Sequence, residues 1–154
     1  MPSLKPPSSL SAHRLAHHRL IFLAGSIDNG AAVDWQRSVE DHFAELPDYL
    51  LLNPRRDDWD ATWKQEMADP QFAEQVNWEL DGLDAADRII LYFAPGSRSP
   101  ISLLELGLYA GTGKVLVCCP PGFWRRGNVE IVADRYRLPF FDDLGELLRT
   151  HFAN

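Results

Sequence analysis

Two acidic residues sit where a folded chain has little use for charge. Glu105 lies inside the apolar run ISLLELGLYAG. At 100° per residue it falls on the side of Ile101, Leu108 and Tyr109, while Leu103, Leu104 and Leu106 cover the other directions. A helix that apolar is expected to be buried. A carboxylate in such a place is unfavourable unless it is paired, hydrogen-bonded or protonated. Perturbed carboxylates gather at functional sites, although structural ion pairs perturb them as well. Glu79 repeats the pattern, lying one turn from both Val76 and Leu83 within the stripe Phe72, Val76, Leu80 and Leu83. Its plain alternative is a stripe-edge side chain that reaches water.

Just ahead of Glu105 the sequence offers an anion site. Ser99 before Pro100 reads as a helix N-cap with a first-turn proline, starting a helix that runs to about Gly111. Ser97, Arg98 and Ser99 then lie at a helix N-terminus, where free N–H groups and the helix dipole favour an anion and Arg98 adds a charge-assisted contact. The opposing reading is a cap serine beside a solvated arginine. Other clusters carry less. His13, His17 and His18 fit a solvated tail better than a metal site. Asp57, Asp58 and Asp60 lack the spacing, glycine and final glutamate of an EF-hand, and read as a solvated loop whose Trp59 and Trp63 are placed to wall a pocket. No metal site is expected. The glycine pattern of dinucleotide-binding turns and the P-loop lysine are absent.

The elements that must position these residues are legible from the apolar runs. The 154 residues suffice for one domain, and residues 1–18, rich in Pro, Ser and His, read as a flexible leader to a single domain over 19–154. A net charge of −7 and a pI near 5.1 disfavour a nucleic-acid partner. Cys118 and Cys119 are adjacent on an expected strand and point to opposite faces, which suits a reducing, cytoplasmic setting. No stretch approaches the ~20 apolar residues that span a bilayer, so no membrane association is expected. Strands are expected at 19–25, 49–53, 88–94, 114–119 and 138–141. Helices fall between them, capped by Asp34 and Asp69 at 34–46 and from 69, then at 99–111, 129–136 and 144–152. This alternation predicts an α/β, flavodoxin-like three-layer fold with a five-stranded parallel sheet in the order 2-1-3-4-5. The turn GSIDNG, with Gly25, Ser26 and Ile27, and the turn PGSRSP would flank one crevice beside Glu105.

With these residues collected, the chain resembles the nucleoside 2-deoxyribosyltransferase superfamily, which includes deoxynucleoside 5′-monophosphate N-glycosidases. The resemblance covers about residues 19–145 and rests on IFLAGSI, NWELDGLDAADRIILYF and SPISLLELGLYAGTGKVLV. It implies that Glu105 is the nucleophile toward the anomeric carbon of a 2-deoxyribosyl group. Glu79 then falls where the family has an Asp that acts near the base as acid or relay. Ser99 matches the phosphate-contacting serine of the monophosphate hydrolases. Two positions depart from the pattern: Phe22 stands where the family has a tyrosine that orients the nucleophile, and Glu79 is one methylene longer than Asp. Tyr109, one turn after Glu105, is the replacement hydroxyl nearest in sequence. The resemblance also implies a homodimer or higher even oligomer whose sites are completed by a neighbour, with Asn128, beside Arg125 and Arg126, as the residue lent across.

The implied reaction needs no cofactor. A carboxylate under the anomeric carbon can form a covalent ester, and a second carboxyl with a raised pKa can protonate the departing base. Transfer to another base, hydrolysis by water, and a 5′-monophosphate substrate all remain open. A non-catalytic nucleotide sensor is the alternative that Phe22 favours. A phosphoacceptor module is disfavoured because the third expected strand ends in Tyr92, Phe93 and Ala94 without an aspartate.

Overall fold

Apolar runs without alternation, such as Leu20 to Ala24 and Ile89 to Leu91, must be covered on both faces, and a parallel sheet between two helical layers meets that need. A computed structural model describes residues 3–11, 15–27, 34–56 and 62–153. Its sheet comprises β1 (Ser3–Leu4), β2 (Arg19–Gly25), β3 (Tyr49–Leu52), β4 (Arg88–Tyr92), β5 (Val115–Cys118) and β6 (Phe140–Phe141). All pairings are parallel, in the order β1-β3-β2-β4-β5-β6. The helices among the described residues are α1 (Trp35–Phe43), α2 (Pro70–Ala85), α3 (Pro100–Tyr109), α4 (Arg126–Tyr136) and α5 (Leu144–His151). The expected strands keep their expected order, and the fold is α/β and flavodoxin-like.

Strand alternation divides the core. Phe22, Ala24, Ile89, Leu91 and Val117 meet Trp78, Leu83, Leu106, Tyr109 and Val129 of α2, α3 and α4. Ile21, Leu23, Ile90 and Leu116 meet Trp35, Val39, Phe43, Leu147 and Leu148 of α1 and α5. Caps fix where the helices start. Asp34 accepts from the N–H of Arg37 at 3.2 Å, and Asp69 accepts from those of Gln71 and Phe72 at 3.1 Å each, with Pro70 in the first turn.

Two expectations are corrected. The sheet has a sixth strand, drawn from the leader: Ser3 pairs with Leu51 and Leu4 with Leu52, Leu10 and Leu15 pack against the core, and Trp78 Nε1 donates to the carbonyl of Ser8 at 2.9 Å. The described part of the leader is therefore docked, because its scattered leucines find apolar surface that the Pro, Ser and His around them conceal in the sequence. The second correction concerns α3. Its inner face carries Ser102, Glu105, Leu106 and Tyr109, while Ile101, Leu104 and Leu108 are each more than half exposed. One sheet covers only one side of a helix, so Ile101 and Leu108 do not share the side of Glu105.

Candidate active site

The strand order reverses between β2 and β4, and in such sheets ligands are bound at the carboxyl ends of the strands on either side of the reversal. Gly25 lets the chain pass close to β4: its φ is 144°, and a Cβ there would lie 2.3 Å from the carbonyl oxygen of Tyr92. Ser26 follows, its N–H donating to that same carbonyl at 3.0 Å and its own carbonyl accepting from Trp35 Nε1 at 3.0 Å. This brings Ser26 against the turn after β4, where three buried serine hydroxyls meet. Ser26 Oγ lies 2.9 Å from Ser97 Oγ and 2.5 Å from Ser99 Oγ, and the latter two are 2.9 Å apart. The N–H of Ala94 donates to Ser26 Oγ at 2.9 Å, and the Ser97 hydroxyl donates to the Ala94 carbonyl at 2.7 Å.

Ser99 is not the side-chain cap that the sequence suggests. Its φ of 47° is left-handed, and its hydroxyl turns to the other serines and makes no cap hydrogen bond. A non-glycine residue held at positive φ is a strained conformation of the kind found at ligand sites. Arg98 is exposed, with its guanidinium 5.1 Å over the ring of Trp124. Trp124 Nε1 donates to the Arg98 carbonyl at 2.9 Å, and Arg125 sits 4.5 Å over the same ring. A depression of about 170 Å³, lined by Gly96, Ser97, Arg98, Gly122 and Trp124, opens there. A larger one of about 410 Å³ is lined by Glu130, Ile131, Asp134, Leu138 and Phe140 and holds none of the chemistry.

The two glutamates face the same interior. Burial pushes the Glu105 carboxyl up to about 8, and the charge of Glu79 adds to the shift. Burial also pushes Glu79 up to about 7, against a lowering hydrogen bond from Gln75 Nε2 at 3.0 Å. No hydrogen bond reaches the Glu105 carboxyl among the described residues. Like charges that sense each other titrate as a pair, so ionisation of one glutamate opposes ionisation of the other.

A family model described as nucleoside 2-deoxyribosyltransferase like matches residues 18–123. The chain belongs to the nucleoside 2-deoxyribosyltransferase-like family. No curated protein matches it. The matched span holds both glutamates and all three serines.

Two further residues show how this member of the nucleoside 2-deoxyribosyltransferase-like family departs from expectation. Phe22 is wholly buried, its ring 6.1 Å from that of Trp78 and pressed into the notch left by Gly82, where a Cβ would come within 2.8 Å of it. The Tyr109 hydroxyl, the expected substitute for a tyrosine there, donates to Asp84 Oδ1 at 2.7 Å, so its hydrogen is taken by α2 and not by Glu105. Asn128 is exposed in the first turn of α4. Of its neighbours, Arg126 is bound to Asp142 at 2.8 Å and to the Cys119 carbonyl, and Arg125 to Trp124. Ile27 is half-buried just past Ser26. Asp57, Asp58, Trp59 and Asp60 lie outside the described residues, while Trp63 stacks under Arg56 at 4.8 Å. No helix among the described residues is long and apolar enough to cross a membrane. Gln75 carries no chemical signal of its own in the sequence; its place four residues before Glu79, which puts both on one helix face, is what marks it.

Proposed function

We propose that the protein cleaves the N-glycosidic bond of 2′-deoxynucleosides and passes the deoxyribosyl group to another base or to water. The observation that carries this reading is the pair of acids Glu79 and Glu105, each raised by burial and close enough for the charge of Glu79 to act on Glu105, which lies on the helix that starts at the serine cluster. In the reactive form Glu105 is ionised and Glu79 protonated. Glu105 attacks the anomeric carbon, the C–N bond breaks with its electrons on the base, and Glu79 gives the base nitrogen its proton. A second base or a water molecule, giving its proton to Glu79, then opens the ester and frees Glu105.

The serine cluster favours a 5′-monophosphate as the substrate. Three hydroxyls meet just before the first turn of α3, and a helix N-terminus favours an anion. From Ser99 to Glu105 the helix rises roughly 9 Å. Side chains lean back toward the N-terminus, which leaves a gap that a pentose 5′-phosphate can bridge. A second copy of the chain is proposed to cover Ile101, Leu104 and Leu108 and to bring Asn128 to the site.

Incubation with deoxynucleosides and their 5′-monophosphates, followed by chromatography of the free bases, tests the reading. Release by the wild type and none by folded Glu105→Ala is the expected result. Equal release by that variant would overturn it, and binding without any release would identify a sensor.

A further inference from the structure

Gln75 is a buried polar residue to which the reaction above gives no task, and only 5% of it is exposed. Its Nε2 donates to Glu79 Oε1 at 3.0 Å and to the Pro54 carbonyl at 3.1 Å, and its Oε1 accepts from Arg56 Nη1 at 3.4 Å. Arg56 is held in turn by Glu74 Oε1 at 3.5 Å and by the ring of Trp63. The amide is therefore locked. The Pro54 carbonyl can only accept and the guanidinium can only donate, so turning the amide over would set carbonyl against carbonyl and N–H against N–H. Glu79 Oε1 thus faces a fixed donor, and a proton placed on that oxygen would weaken the N–H hydrogen bond, because a hydroxyl oxygen accepts less well than a carbonyl oxygen. A neutral Glu79 keeps this bond at full strength when the proton is on Oε2.

We propose that Gln75 is a positioning residue that confines the Glu79 proton to Oε2 and so selects the oxygen that delivers it to a departing base. The role toward the base rests on the glycosidic reading; the hold on the proton stands on the hydrogen bonds alone. The same N–H steadies the carboxylate left after transfer. Among the described residues, the other charges around Glu79 are Glu105 from α3, whose charge opposes a second ionisation, and Arg56 from the segment after β3, reaching it through Gln75 and paired with Glu74. Asp84, further along α2, is engaged by Tyr109.

The test follows Glu79 directly, in full-length protein carrying glutamate labelled with ¹³C at the side-chain carboxyl. The signals of Glu79 and Glu105 are assigned by their loss in Glu79→Gln and Glu105→Gln. Gln75→Leu removes the donor, and Gln75→Asn keeps a polar side chain too short to reach. In each folded variant the Glu79 titration is expected to move up by about one unit. Arg56→Leu leaves Gln75 in place but frees its amide to turn, and is expected to move it the same way by less. An unmoved Glu79 titration in the folded Gln75 variants would overturn the proposal. Where base is released, the pH profile of kcat should move with the titration, and a profile that stays put while the titration moves would overturn the role toward the base. A moved titration with no base released even by the wild type would leave the hold on the proton standing and remove the glycosidic reading.

Discussion

Replacing Glu105 by Gln keeps the shape of the side chain and removes its ability to ionise. The Glu105 carboxyl is raised from 4.5 to about 8, by burial first and by Glu79 second. Because the folded value lies above the unfolded one, the native state binds the proton more tightly between them. The associated stability is fully present below about pH 4.5 and is lost as pH rises through about 8. At ~1.4 kcal/mol per unit the loss is at most about 5 kcal/mol. Part of it belongs to the mutual charge of the pair, so about 2–5 kcal/mol is the range expected of this residue. Glu105→Gln has no such loss. It should match the wild type within ~1 kcal/mol at pH 4.5 and exceed it by about 2–5 kcal/mol at pH 8.5, roughly 5–15 °C in Tm for a chain of this size. Thermal and urea unfolding of both proteins from pH 4.5 to 9 measures the difference, in which the titrating groups outside the Glu79–Glu105 pair cancel. A difference that does not change with pH, or a wild type more stable than the variant at pH 8.5, would refute the reasoning. Loss of base release in the same variant would then mark a residue kept for chemistry at the expense of stability.

Ser99→Ala removes one hydroxyl of the serine cluster; KM for a deoxynucleoside 5′-monophosphate should rise about tenfold, with little change for the nucleoside, and equal effects in steady-state kinetics on both would remove the phosphate reading. Leu104→Asp places a charge on the exposed apolar stripe of α3, and light scattering should then show 17.5 kDa monomers where the wild type shows a dimer or larger even assembly; a wild type that is already monomeric at micromolar concentration counts against the assembly.

How far the sequence could be read depended on whether a signal was local. Leu20 to Ala24 and Ile89 to Leu91 announce buried strands because no polar residue interrupts them, and Asp34 and Asp69 announce helix starts because a cap is made within three residues. Glu105 and Glu79 stood out for the same reason, as acids in apolar surroundings. Ser99 misled because Ser before Pro is a complete local signature of a cap, whereas its hydroxyl is claimed by Ser26, distant in sequence, and by Ser97. Strand β1 is invisible because two residues have no periodicity, and its partners Leu51 and Leu52 are distant in sequence. The outward side of α3 is not legible, because a helix apolar on most sides carries no instruction about which side the sheet will cover.

The distribution of donors over the carboxyl pair bears on how the proposed reaction starts. Glu79 receives an N–H from Gln75, while Glu105 receives none among the described residues, with Phe22 lacking a hydroxyl and that of Tyr109 committed to Asp84. A hydrogen bond to a carboxylate favours the ionised form, so in the empty site a single proton on the pair belongs on Glu105 and the charge on Glu79. The glycosidic step needs the reverse. Positive charge developing at the anomeric carbon favours ionised Glu105, and a base lone pair brought to Glu79 favours its protonated form, so a correctly placed substrate supplies both biases. Water entering without substrate supplies neither, and Glu105 then stays neutral and unreactive. That no described residue of the same chain gives Glu105 a hydrogen bond therefore has a consistent place in the proposed chemistry: a carboxylate so little stabilised as an anion is strongly basic, and it ionises to advantage when a sugar is there to be attacked.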